Sequence, residues 1–389
     1  MSEMLAQSIS MLDRLVAFDT TSRISNLALI DFARDYLEGH GIPTRTTFNE
    51  DNTKANLWAT IGPEDKGGVI LSGHVDVVPV DGQDWSNEPF KMWEADKKLF
   101  GRGTADMKGF CAIALAMAPE MKKRGLKTPI HLAFSYDEEI GCIGVRGLIK
   151  DMAENLPLPI AVVVGEPTGM KIIGGNKGSR SLSVVVRGVP GHSSEPHRGA
   201  NSIMFAARII NLLEQIQTEL RENAHEDSPF DPPYTTIDLG VIEGGTAHNI
   251  IPEFTKFRWG MRLHPGDDGE VIEQRVRDYI ESELNPALKA VSPEAGVTME
   301  LVNDVPPLVP DTESAAEDLI RHLTGLNQSG AVSFGTEAGF FQQAGVPGVI
   351  FGPGYIQQAH QPDEFIEISQ VEECVEFMTK LTDWAAKNG

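Results

Sequence analysis

The chain has 389 residues, beyond the ~250–300 at which one hydrophobic core stops growing, so two domains are expected. Its 33 Lys and Arg against 56 Asp and Glu give a formal net charge of −23, which argues against nucleic acid and anionic membranes as partners. No apolar window reaches the ~20 residues of a membrane span, and the three scattered cysteines, Cys111, Cys142 and Cys374, argue against disulfides and for a reducing, cytoplasmic setting.

In chain order, residues 1–41 predict two amphipathic helices, with an early Glu3 and a helical apolar rhythm where a secretory signal would carry basic and apolar blocks. Strands follow over Asn56 to Gly62 and Val69 to Val78, then a helix over Met107 to Lys123, a strand over Ile130 to Ser135, a helix over Val145 to Glu154 and a buried strand over Ile160 to Val164. This alternation predicts an α/β fold, a mixed, mainly parallel sheet flanked by helices, whose ligand sites lie beyond the carboxyl ends of the strands.

Near residue 180 the pattern changes. Arg180 to Val189, Tyr234 to Gly245 and Thr255 to His264 alternate polar with apolar residues, and helices are expected over Asn201 to Arg221 and about Val271 to Leu288. That is an α+β unit with half-exposed strands. Short apolar strands over Val297 to Val302, Ala331 to Phe334 and Gly348 to Gly352 then resume the first pattern. The expected organisation is a catalytic domain formed by 1–179 and 294–389, split by an inserted domain at 180–293.

Isolated acids and histidines stand where apolar runs stop: His74 and Asp76, Asp106, Glu138 and Glu139, Glu166, and His360. A carboxylate beside a core strand is costly without compensation, and one shared cation compensates several at once. VILSGHVD, LAFSYDEE and VVVGEP each run from an apolar strand straight into the polar residue, so these side chains should emerge at one sheet edge. Histidine and carboxylate without thiolate suit Zn²⁺, with Co²⁺ or Mn²⁺ as substitutes.

Five ligands exceed the usual three of one catalytic zinc, and two ions sharing a bridging carboxylate fit the count better. Asp76 is placed to accept the free ring N–H of His74. Of the adjacent Glu138 and Glu139, one can bind metal while the other acts as general base. Taken singly these signals are weak: an HxD is often a structural histidine pair, and DEE is often a solvated run. Cys142 reads as a packing residue, and Ser193 and Ser194 beside His192 read as loop chemistry.

The runs LSGHVDVVPVDGQDW, LFGRGTADMKGF, FSYDEEIGCIGVRGLI, VVGEPTGMKIIGGNKGS, VPGHSS, GGTAHNIIPE, FGTEAG and AHQPDEF together resemble the co-catalytic zinc deacylases and exopeptidases over about residues 70 to 365. The resemblance implies a zinc-exopeptidase-like catalytic domain with an inserted lid that carries a homodimer contact. It implies one zinc on His74 and Glu166, another on Glu139 and His360, and Asp106 bridging them with a cis peptide to Met107. Glu138 is then the general base and Asp76 the orienter. His192 and Asn249 reach across to the partner subunit's site, where His192 donates to the oxyanion.

For substrate, the resemblance implies that Arg262 binds a carboxylate and that Gly335 and Thr336 line the pocket. Gly260 and Glu337 depart from the usual pattern, which carries an Asp two positions before the arginine and a Ser-Asp in place of Glu337. GTEAG, SYDEEIGC and GTADMKGF look most like the branch that hydrolyses N2-acetyl-L-ornithine to ornithine and acetate in arginine biosynthesis. A deacylase of succinyl-diaminopimelate or acetylcitrulline, a dipeptidase and an inactive zinc-binding homologue are the alternatives left open.

Overall fold

The apolar strands of the first pattern close, in the computed structural model, into one eight-stranded sheet. Residues 2–389 are described. They divide into two compact units: the chain up to Gly175 with Leu308–Ala331 and Thr336–Gly389, and Asn176–Pro307 with Val332–Gly335. Among the described residues no helix is long and apolar enough to cross a membrane.

In the first unit the strand order is Thr44–Phe48, Ala55–Ile61, Ile130–Ser135, Val69–His74, Ala161–Val164, Gly348–Ile350, Ile172–Asn176 and Ser329–Val332. Val69–His74 runs parallel to both Ile130–Ser135 and Ala161–Val164, and Gly348–Ile350 runs parallel to Ala161–Val164. Every residue of these four strands is buried, which is why they read as continuous apolar runs without alternation. Leu12, Leu15, Phe110, Met117, Phe377 and Leu381 from three helices pack with Leu57, Leu71 and Val163 of the sheet, each such burial contributing ~1.5–3 kcal/mol before entropy is set against it.

Helix Lys108–Arg124 comes down closely on the strand ends. A Cβ on Gly165 would stand 2.1 Å from the Phe110 ring. The glycine is therefore what lets this helix, with Asp106 two residues before it, approach the carboxyl edge of the sheet.

The second unit is an antiparallel sheet in the order Thr236–Gly244, Phe254–Leu263, Gly178–Arg187 and Gly296–Val305. Leu182, Val184, Phe257 and Trp259 on its inner face pack against Ile209 and Leu213 of helix Ser202–Glu222 and Val276 of helix Gly269–Tyr279. Here the structure corrects one expectation. The strand at 297–302, expected to return to the first sheet, lies within Gly296–Val305 and pairs with Gly178–Arg187. Buried Val297 and Met299 alternate with exposed Thr298 and Glu300, a period of two that belongs to a half-exposed sheet. The single helix expected at 271–288 is Gly269–Tyr279, a π turn at Ile280–Leu284 and Asn285–Lys289. Pro286, lacking a backbone N–H, interrupts the ladder there.

Candidate metal and catalytic site

The parallel strands deliver their terminal residues to one edge. His74 ends its strand opposite Ser135, Glu138 and Glu139 follow Ser135 by three and four positions, and Glu166 follows Val164 by two. The loop after Gly348–Ile350 brings His360 to the same place. Its backbone is left-handed, with φ +62°.

Asp106 is central. Its Oδ1 lies 3.1 Å from His74 Nε2 and its Oδ2 3.2 Å from His360 Nε2. Glu166 Oε1 is 3.7 Å from His74 Nε2, and Glu139 Oε2 is 3.1 Å from His360 Nε2. The ligand atoms of His74, Asp106 and Glu139 lie within 4.8 Å of one another, as do those of His74, Glu138 and Glu166. The peptide between Asp106 and Met107 is cis.

Asp76 does more than was expected of it. Its Oδ1 accepts from the Glu138 N–H at 3.0 Å, and its Oδ2 accepts from the Glu139 N–H at 3.3 Å and the Ser22 hydroxyl at 2.7 Å. It therefore fixes the backbone that presents both glutamates. The His74 ring donates from Nδ1 to the main-chain oxygen of Asp76 at 3.0 Å, with the carboxylate further off at 3.5 Å. That bond leaves Nε2 as the ring nitrogen that faces acids, through a proton in the metal-free chain.

Ring nitrogens facing carboxylates need a proton or a metal cation between them. Burial pushes Glu138 up to about 8, opposed by His74 and reinforced by Glu139. Burial likewise pushes Glu139 up to about 7 and raises Glu166 strongly. Asp106 goes the other way: burial acts to raise it, but hydrogen bonds from His360 and His74 prevail. Those partners are themselves held protonated, His360 at about 10 through Asp106 and Glu139. Glu139 Oε1 is buried with no hydrogen-bond partner. The donor set and this orphaned oxygen fit divalent ions of the zinc type, with protons standing in their place in the metal-free chain.

The sequence reading missed Glu364 altogether and met Glu337 only as a departure from the resembled pattern, without a place near the site. Glu337 is buried beneath Ser72 and Ser135, both of which donate to its carboxylate, and burial pushes it up to about 7. Glu364 is buried against Arg102 at 2.7 Å. Neither stands at the end of an apolar run, the one signal by which strand-end acids are legible. Cys142 donates to Glu138 Oε1 at 3.3 Å, and burial holds its thiol protonated, so it is no nucleophile.

Other expected residues lie in the second unit. His192 is exposed, and its Nδ1 takes the Ser194 N–H at 3.2 Å, while Ser193 N–H donates to the main-chain oxygen of Asn249 at 3.1 Å. Arg262 is exposed on strand Phe254–Leu263. With Arg180, Ser181, Asp238, Arg258 and Gly260 it borders a cavity of about 260 Å³. Asp238 stands directly across from Gly260. Gly335 belongs to this unit and Thr336 to the first. The Thr336 side chain is buried and its hydroxyl accepts from the Ala338 N–H at 3.2 Å, at the start of helix Ala338–Gln343.

The model of the peptidase family M20/M25/M40 matches residues 70–383. An acetylornithine deacetylase of Myxococcus xanthus is 36% identical, with 96% of each chain covered. Among solved structures, a metallo-carboxypeptidase of the M20 family from Sulfolobus solfataricus superposes with a TM-score of 0.77 at 17% identity over 100% of both chains. A dinuclear metal binding peptidase from the M20 family of Bacillus subtilis does so with 0.65 at 17% identity over 99% of both. These two likenesses are of fold.

Proposed function

The chain belongs to peptidase family M20/M25/M40 and is a metal-dependent amidohydrolase; on that premise we propose that it hydrolyses N2-acetyl-L-ornithine to L-ornithine and acetate, a step of arginine biosynthesis. We assign two zinc ions to it, one on His74 and Glu166 and one on Glu139 and His360, with Asp106 shared and Co²⁺ or Mn²⁺ as substitutes. The observation that carries this reading is Asp106, whose two oxygens address two different histidines at 3.1 and 3.2 Å. The choice of substrate is supported by the 36% identity to the Myxococcus xanthus acetylornithine deacetylase.

Two zinc ions bound there supply polarisation of the amide carbonyl and acidification of the attacking water. We assign Glu138 as the base. One of its oxygens holds the Cys142 thiol and the other, 4.0 Å from His74 Nε2, is available to the reacting centre. It takes a proton from the water and returns it to the leaving nitrogen. Asp76 keeps Glu138 aimed through the backbone bond described above. His192, whose Nδ1 is already an acceptor, carries its proton on Nε2 and donates it as a hydrogen bond to the oxyanion. Arg262 pairs with the substrate carboxylate.

We further assign His192 and Asn249 to the partner subunit's site in a homodimer built on the inserted unit. Val241 and Ile242 on its edge strand and Met204 are 50–61% exposed, as an apolar interface would require. Rates on acetylornithine, acetylcitrulline, acetylmethionine, succinyl-diaminopimelate and a dipeptide test the substrate; acetylornithine should lead by at least tenfold, and equal rates on all would reject it. Sedimentation of Ile242→Lys tests the assembly: a monomer that binds zinc and is inactive is expected, whereas an active monomer contradicts the role of His192 across the interface.

A further inference from the structure

Glu364 is a carboxylate with less than 2% exposure surrounded by donors. Its Oε1 accepts the N–H groups of Ala105 at 2.9 Å and Asp106 at 3.1 Å. Its Oε2 accepts the Gly103 N–H at 3.0 Å and the Arg102 guanidinium at 2.7 Å. Arg102 is equally buried, and it also donates to Gln83 Oε1 at 2.6 Å. Gln83 in turn donates to the main-chain oxygen of His360 at 2.9 Å. One network therefore ties the backbone of Asp106 to the loop that carries His360.

A buried ion pair is a poor device for stability alone, since desolvating two charges offsets most of their attraction. The geometry here has a narrower use. His74 ends one sheet strand and Glu166 lies two residues past another, so the sheet itself places them. His360 has no such support: it lies ten residues beyond Ile350, half exposed, in a left-handed backbone conformation that costs about 1–2 kcal/mol and persists only where surroundings impose it. Around it Gln83, held by Arg102 on Glu364, takes the main-chain oxygen of His360, Arg102 reaches that of Gln361 at 3.4 Å, and Ser86 holds the Asp363 carboxylate.

We propose that Glu364 is a positioning residue that sets Asp106 and the His360 loop at their mutual distance, and so determines the affinity of the cation position formed by His360, Glu139 and Asp106 without touching the cation. The inference rests on the two-ion reading given above. It makes a distinction that a general structural role would not: the position on His74 and Glu166 shares Asp106 but takes its other two ligands from the sheet, so it should lose far less than the position on His360 and Glu139.

The test is a zinc titration of the full chain against a competing chelator, with the unfolding temperature of the metal-free protein measured alongside. The wild type should bind two zinc ions per chain; one ion or none would reject the two-ion reading itself, whatever the variants do. In Glu364→Gln, the new NH₂ must face either the Ala105 and Asp106 N–H groups or Arg102 and Gly103, donor against donor. The zinc ion that a His360→Ala variant removes should then lose roughly 10–100-fold in affinity, the range for groups that orient metal ligands, with the other ion losing much less. Equal weakening of both ions, or no weakening, overturns the proposal. Should Glu364→Gln fail to fold, Gln83→Ala decides. This partly exposed residue can be removed without opening the core, and it should lower the same single affinity severalfold; an unchanged titration there overturns the proposal as well.

Discussion

Two clusters in this chain bring histidines and acids within ligand distance, and they are chemically unlike. In the first unit, His74, Asp106, Glu138, Glu139 and Glu166 converge with His360. In the second, His225, His264 and Asp267 have ligand atoms within the same 4.8 Å. Distance does not separate them; the lone pairs do. His264 Nδ1 accepts the Gly266 N–H at 3.0 Å, so its proton sits on Nε2 and points to the Ser228 hydroxyl at 2.9 Å. Binding a cation through Nε2 would move that proton to Nδ1, against the Gly266 N–H. Asp267 gives one oxygen to His225 at 2.9 Å and the other to the Thr235 hydroxyl at 2.6 Å. This second cluster is complete as it stands. In the first, the Nδ1–H of His74 is used and its Nε2 faces only acids, while Glu139 Oε1 has no partner at all. A cation completes that set.

The comparison is broken most directly at Asp106. Asp106→Ala should abolish activity and reduce bound zinc to one ion or none, by elemental analysis of the dialysed protein; two tightly bound ions in that variant would disprove the bridge. Glu138→Gln comes next. It should keep both ions and lose 10²–10⁴-fold in kcat, the usual contribution of a positioned proton-transfer group, and near-normal turnover would remove Glu138 from its role.

A smaller effect follows from protonation. In the metal-free chain Glu138, Glu139 and His360 all have folded values above their ordinary ones, at about 8, about 7 and about 10. Each therefore contributes stability that is full at low pH and is lost as pH rises, the glutamates between 4.5 and about 8 and His360 from 6.5 to about 10. Asp106 opposes this only at acid pH, because its value is lowered. The gain in unfolding temperature on adding zinc should thus grow steadily between pH 5.5 and 8 (~a few degrees); a gain independent of pH would show that protons do not hold the metal's place.

Much of the first cluster was legible because of where a parallel sheet puts its strand ends. The runs VIL and AVVV are apolar and both their strands are buried on both faces, so the polar residues that close them mark the carboxyl edge, His74 at the last position of one strand and Glu166 two past the other. Glu364, and the burial of Glu337, were not legible: their partners are backbone N–H groups and serines 202 to 265 positions away in sequence, contacts that only the closed fold creates. The same holds for Gly296–Val305, whose alternation was visible in Val297 and Met299 but whose partner strand, 110 or so residues earlier, was not. Residue chemistry was readable locally, and pairing across the chain was not.

The smallest expected effect tests the second cluster. His225 is partly exposed, and its ion pair with Asp267 is of the kind that contributes ~0–1 kcal/mol. His225→Ala also removes the ring stacked on His264 at 4.0 Å, worth ~0.5–1.5 kcal/mol in a well-formed aromatic pair. The unfolding temperature should fall by only a few degrees, read by calorimetry on the zinc-loaded protein, because the buried contacts of His264 with Gly266 and Ser228 and of Asp267 with Thr235 survive. Zinc content should stay at the wild-type value and the pH profile of zinc stabilisation should be superimposable. The loss of one equivalent of metal in this variant would mean that the hydrogen bonds of His264 rearrange on metal binding, and that satisfied lone pairs are no guide to which of the two clusters binds a cation.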